Sequence, residues 1–119
     1  MQYMLFCCFD EARWNALPEG QRDEIMQAYG AWAESLGKSG HYRGGAKLDS
    51  IATATTLRAK AGKVAVTDGP FAETKEHLGG FHIVECGNLD EALALASRIP
   101  TIPFGGAVEV RPVLSQVGG

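Results

Sequence analysis

The run Gln2-Tyr3-Met4-Leu5-Phe6-Cys7-Cys8-Phe9 constrains this chain more than any other stretch. It is nearly all apolar and rich in aromatic and sulfur side chains, which reads as a β-strand buried on both faces. Successive side chains of a strand point to opposite sides. Tyr3, Leu5, Cys7 and Phe9 therefore share one face, and Met4, Phe6 and Cys8 the other. Both faces need cover, so the strand belongs inside a layered sheet.

The elements that follow say what the cover is. Asp10 to Trp14 reads as a polar connection. Pro18 and Glu19 suit the first turn of a helix, by fixed φ and by charge at the positive end of the dipole. Ile25, Tyr29, Trp32 and Leu36 recur at helical spacing and make one apolar stripe. Gly40 is the expected stop. His41 to Leu48 is Gly-rich and has room for a short strand. Ala52 to Arg58 suits a strand through its threonines. Ala61-Gly62 reads as a hairpin turn, with Val64 to Thr67 as the return strand. Gly79-Gly80 leads into a strand over 81–86. Asn88 is a good N-cap, with Glu91 three residues on, for a second helix running to about Arg98. Ile99 to Gly106 is a loop, and Val108 and Val110 alternate with Glu109 and Arg111 as in a half-buried strand. The last three residues, Val117-Gly118-Gly119, read as a frayed tail.

Strand, helix, strand, inserted hairpin, strand, helix, strand is an α+β order: the ferredoxin-like βαββαβ pattern with an extra hairpin, in one domain over residues 1–119. Two helices cover one sheet face. The apolar residues on the other face call for a second sheet, and a second copy of the chain is the economical source, so a homodimer is expected.

With 119 residues, the chain buries roughly two-thirds of its unfolded surface, enough for a core without staples. A net charge of −3 argues against general binding of nucleic acid or anionic membranes, which need a basic field. The three cysteines have no metal-ligand spacing and read as reduced, buried thiols of a cytoplasmic protein. A reactive thiol would need a neighbouring base or positive charge, and the sequence places none beside Cys7, Cys8 or Cys86. The start of the chain lacks the basic segment of a secretion signal, and no apolar run is long enough to cross a bilayer. Gly44-Gly45 and Gly79-Gly80 match no phosphate-binding loop. No metal and no cofactor is expected.

The densest chemistry lies in Thr67-Asp68-Gly69-Pro70-Phe71-Ala72-Glu73-Thr74-Lys75-Glu76. Asp68-Gly69-Pro70 is a turn signal. Phe71 reads as an anchor into the core. Glu73, Lys75 and Glu76 put a carboxylate pair beside an ammonium, a pattern able to shift pKa values for acid–base work and equally a solvated charge cluster. Thr55 offers a hydroxyl to a ligand, or simply strand propensity.

This run, with Leu78-Gly79-Gly80-Phe81, Met1-Gln2-Tyr3-Met4-Leu5, Ala52-Thr53-Ala54-Thr55-Thr56-Leu57-Arg58 and Ala107-Val108-Glu109-Val110-Arg111-Pro112-Val113, resembles the DGPF family of YCII-related proteins over nearly the full length. The resemblance implies a ferredoxin-like, dimeric α/β-barrel. Some members occur beside or fused to extracytoplasmic-function sigma factors. More distant YCII relatives use a His–Asp pair in a cleft, and one branch includes a dechlorinating enzyme of aromatic degradation. Their histidine falls within the first helical region, and this chain has none between Pro18 and Lys38. His82 stands where the family carries an aromatic residue, so the resemblance does not make it an inherited base. Asp68 is thereby the candidate acid or base, with Glu73 and Lys75 beside it. Thr55, Phe71, His82 and Arg111 are candidate ligand contacts. Two functions are open: a small molecule bound or transformed beside the 68–76 loop, or a non-catalytic regulatory module linked to a sigma factor.

Overall fold

A computed structural model describes residues 1–115; the expected tail at Val117-Gly118-Gly119 lies outside them. The elements are β1 (Gln2–Phe9), α1 (Glu11–Ala16), α2 (Glu19–Lys38), β2 (Tyr42–Lys47), β3 (Thr55–Lys60), β4 (Lys63–Asp68), β5 (His77–Glu85), α3 (Leu89–Ala96) and β6 (Ala107–Pro112). Short 3-10 turns fill Ile51–Thr53 and Ile102–Phe104.

The main sheet runs β2-β5-β1-β6 with every neighbouring pair antiparallel. That is the ferredoxin-like order, and β1 sits inside it as its composition requires. Tyr3 and Leu5 are buried beneath the helices with Trp32, Leu36, Val84, Ala92, Leu95 and Ile99. The stripe on α2 buries Ile25, Trp32 and Leu36. The indole Nε1 of Trp32 donates to the Leu95 carbonyl at 3.0 Å, joining α2 to α3. Asn88 caps α3 by accepting from the Glu91 N–H. The reciprocal half of that capping box is not made, because the Glu91 carboxylate turns to His41 at 2.7 Å.

Three elements differ from the expectation. The strand expected over Ala52 to Arg58 is β3 at Thr55–Lys60, with Ile51–Thr53 in a 3-10 turn before it. Asp10 to Trp14 is a helix rather than a connection: the Asp10 carboxylate accepts from the Ala12 and Arg13 N–H groups and starts α1. And β5 begins at His77 rather than 81, taking the glycine pair into the sheet. A Cβ on Gly80 would stand 2.9 Å from the Ala46 carbonyl, so the close approach of β2 requires glycine there.

The inserted β3–β4 hairpin forms its own two-stranded sheet. Its two-residue turn places Ala61 at φ 51° and Gly62 at φ 80°, the paired positive φ of a tight hairpin. Leu57, Val64 and Val66 on this arm are about two-thirds exposed. Phe71, expected in the core, is 75% exposed; it lies in the irregular segment between β4 and β5, which holds no strand or helix to carry it into the core. The projecting arm helps raise the radius of gyration to 16.2 Å, against about 14 Å for a compact domain of this size.

Candidate functional site

The helix-covered face of the sheet holds one polar side chain at its centre. His82 pairs with Leu5 on β1 and faces Gly45 on β2, and it is only 6% exposed. Its ring meets the edge of Trp32 with centroids 5.0 Å apart. Buried polar groups need partners, and His82 has two. The Tyr29 hydroxyl lies 2.5 Å from Nε2 and the Tyr42 hydroxyl 2.8 Å from Nδ1. Tyr29 in turn lies 3.0 Å from the Sγ of Cys7. The result is a hydrogen-bonded chain Cys7–Tyr29–His82–Tyr42 drawn from β1, α2, β5 and β2.

Glycine makes this chain possible. A Cβ on Gly45 would fall 2.4 Å from the Phe81 carbonyl, 2.6 Å from the Tyr42 hydroxyl and 2.8 Å from His82 Nδ1. The tyrosine therefore lies across a bare stretch of strand.

Burial sets the charge state. Desolvation lowers the His82 pKa, so the imidazole is neutral near pH 7. Desolvation also raises Tyr29, helped by its hydrogen bond to Cys7, and raises Tyr42. It raises Cys7 against an opposing pull from Tyr29. All four groups are uncharged. A neutral imidazole has one donor and one acceptor nitrogen. The chain can therefore point from Cys7 to Tyr42 or the reverse, and the two directions are the two tautomers of His82.

Three members reach a cavity of about 400 Å³: Cys7, Tyr29 and His82 line it, while Tyr42 supports His82 from behind. Trp14, Met26, Ile51 and Leu78 make its apolar walls; Glu11, Lys47, Asp49 and His77 supply its charged and titratable groups. Helix α1 contributes to this wall, so the element missing from the sequence reading is part of the site. Glu11 also accepts from the Ile51 N–H at 3.1 Å, tying α1 to the segment after β2. A second lobe of about 420 Å³ shares the wall from Leu48 to Ile51 with His77 and Leu78, and continues over Thr55, Thr56, Pro70 and Phe71.

The sequence-derived residues fall in different places. His82 is at the centre of the cavity wall. Thr55 and Phe71 line only the second lobe. Asp68, Glu73 and Lys75 are exposed and line neither space. Arg111 lies on the opposite face of the sheet, with its guanidinium 5.9 Å from the Phe6 ring. Tyr42 has no signal of its own in the sequence, and the sequence presents Tyr29 only as part of a core stripe. The signal for Tyr29 was present: it is the member of that stripe whose hydroxyl must find a partner when buried. Among the described residues, no group of three His, Cys, Asp or Glu side chains is placed to hold a metal ion.

A YCII-related domain profile matches residues 1–116. The chain belongs to the YCII-related family. It is 38% identical over 114 residues to an uncharacterised protein of Rhizobium meliloti (strain 1021), covering 95% of this chain and 92% of that one. Among solved structures it is similar to 5-chloro-2-hydroxyhydroquinone dehydrochlorinase (TftG) from Burkholderia phenoliruptrix AC1100, in complex with 2,5-dihydroxybenzoquinone. That likeness has a TM-score of 0.56 at 19% identity, over 95% of this chain and 93% of the other, and it supports the shared fold. Among the described residues no helix is long and apolar enough to cross a membrane.

Proposed function

We propose that the cleft over His82 binds a small planar molecule bearing hydroxyl or carbonyl oxygens and moves a proton on it. The observation that carries this reading is a buried imidazole held at both nitrogens by tyrosine hydroxyls, in the wall of a ligand-sized cavity. Tyrosine hydroxyls recognise oxygens of either kind, since they both donate and accept. A ligand hydroxyl beside Tyr29 passes its proton to the tyrosine oxygen as the tyrosine proton moves to His82 Nε2, which is general-base catalysis through a relay. The dihydroxybenzoquinone bound by TftG is a molecule of this class and lends the reading support.

The test is a fluorescence titration, reading Trp14 in the cleft, with catechols and hydroxyquinones, followed by turnover assays. His82→Gln is expected to abolish turnover, while Asp68→Asn leaves it in place. A site at the 68–76 loop predicts the reverse order. No binding by the wild type at millimolar ligand rejects the cleft reading.

The exposed Leu57, Val64, Val66 and Phe71 favour a second reading, a non-catalytic regulatory module that docks on an extracytoplasmic-function sigma factor through its hairpin arm. Absence of a complex between the purified proteins on gel filtration rejects it. In either reading we propose a cytoplasmic homodimer, with Met4, Phe6, Phe81 and Ile83 on the open sheet face covered by a second copy. Phe6→Glu then converts dimer to monomer in light scattering, and a wild-type monomer at micromolar concentration refutes the pairing.

A further inference from the structure

We propose that Cys7 is a nucleophile in the cleft, primed by His82 through the Tyr29 hydroxyl, and that it adds to soft electrophilic carbons such as those of quinones and enones. This deepens the small-molecule reading of the same cleft and rests on it.

Cys7 and Cys8 both line the cavity. The β1–β5 register shifts between these two, Cys7 pairing with Gly80 and Cys8 with Leu78, so Gly79 is the extra residue of a bulge on β5, in the strand that carries His82. Of the three thiols, one has a path to a base. Cys7 Sγ reaches Tyr29 at 3.0 Å, and Tyr29 reaches His82 at 2.5 Å. The Cys8 thiol has the carboxylates of Glu109 and Glu76 near it, and Cys86 has Glu91 and Glu85; both pairs oppose a thiolate.

Burial keeps Cys7 protonated at rest, so the proton leaves only as the carbon–sulfur bond forms. The sulfur lone pair attacks the β-carbon, and the C=C electrons move to the carbonyl oxygen as an enolate. The thiol proton passes to Tyr29 as the Tyr29 proton passes to His82 Nε2. Its return along the same path, or from water, protonates the enolate. The net change is addition of S–H across C=C, with no oxidant or reductant.

The experiment treats the full-length protein with naphthoquinone and follows each cysteine by mass spectrometry. Cys7 is expected to react on the order of tenfold or more faster than Cys8, and Tyr29→Phe to remove that advantage without slowing Cys8. His82→Gln carries the same expectation should Tyr29→Phe fail to fold. Equal rates for Cys7 and Cys8, or a folded variant that keeps the advantage, overturns the proposal. Catechol, which is not electrophilic, is titrated in parallel against the wild type and Cys7→Ser. Catechol binding with an inert Cys7 rejects the nucleophile alone. An inert Cys7 without catechol binding rejects the small-molecule site as well.

Discussion

Gly45→Ala tests the architecture of the site at its tightest point. At an ordinary strand position this change stabilises by about 0.4–1 kcal/mol, because alanine narrows the unfolded ensemble. Here the sign reverses. The added methyl would stand 2.4 Å from the Phe81 carbonyl, a backbone atom held in the β2–β5 ladder. It would also stand 2.6 Å from the Tyr42 hydroxyl and 2.8 Å from His82 Nδ1. Relieving the first contact displaces β2 from β5, an overpacking cost of about 1–3 kcal/mol. Relieving the other two breaks the Tyr42–His82 bond, for about 1 kcal/mol more. The expected loss is roughly 2–4 kcal/mol by urea denaturation. At about 4 °C per kcal/mol for a domain of this size, Tm falls by roughly 8–16 °C. Tyr42→Phe removes one clash and leaves the carbonyl clash, so Gly45→Ala stays destabilising in that background. A Gly45→Ala protein within about 0.5 kcal/mol of wild type would refute the claim that glycine provides the clearance.

Two further outcomes follow from the same contacts. The folded pKa of His82 is lowered by burial from 6.5, so folding binds fewer protons than unfolding there. Its contribution is complete above the unfolded value and is lost as pH falls from 6.5 through the folded value; His82→Gln should flatten the decline in stability that urea denaturation reads as pH falls below 6.5. Trp32→Phe deletes the buried bond to the Leu95 carbonyl and leaves a void between α2 and α3, and calorimetry should report a loss of roughly 1–3 kcal/mol.

The fold was legible because its signals are local. The β1 composition, the α2 stripe, the Ala61-Gly62 turn and the Asn88 cap each act within one element or one turn. Helix α1 escaped because six residues carry no stripe; its capping aspartate was the available sign. Phe71 was misplaced because an aromatic after a turn anchors only where something lies above it. The site was harder to read for a different reason. Tyr29 and His82 are 53 residues apart, Tyr42 and His82 40, and Cys7 and Tyr29 22. No spacing rule joins such residues; β-pairing and helix packing bring them together. The charged loop drew attention by density, yet density at the surface is what solvation permits at little cost. The informative polar residue was the one on an apolar strand, where burial without partners costs most.

The same reasoning gives a consequence at the far end of the chain from the cleft. Cys7 can yield its proton toward His82 only when Nε2 is the acceptor, which places the ring proton on Nδ1. Tyr42 accepts that proton at 2.8 Å. In Tyr42→Phe the acceptor is gone, and an Nδ1–H would be a buried donor without a partner. An unmet lone pair is tolerated better than an unmet N–H, so the ring should switch to the Nε2–H form. Nε2–H then donates to Tyr29, Tyr29 donates to Cys7, and the path from thiol to base is closed. Cys7 should therefore lose its reactivity toward naphthoquinone through a residue that touches neither Cys7 nor the cavity. The nitrogen chemical shifts of His82 should report the tautomer change in the same sample. A folded Tyr42→Phe protein whose Cys7 reacts at the wild-type rate would show that the direction of these hydrogen bonds does not govern the thiol.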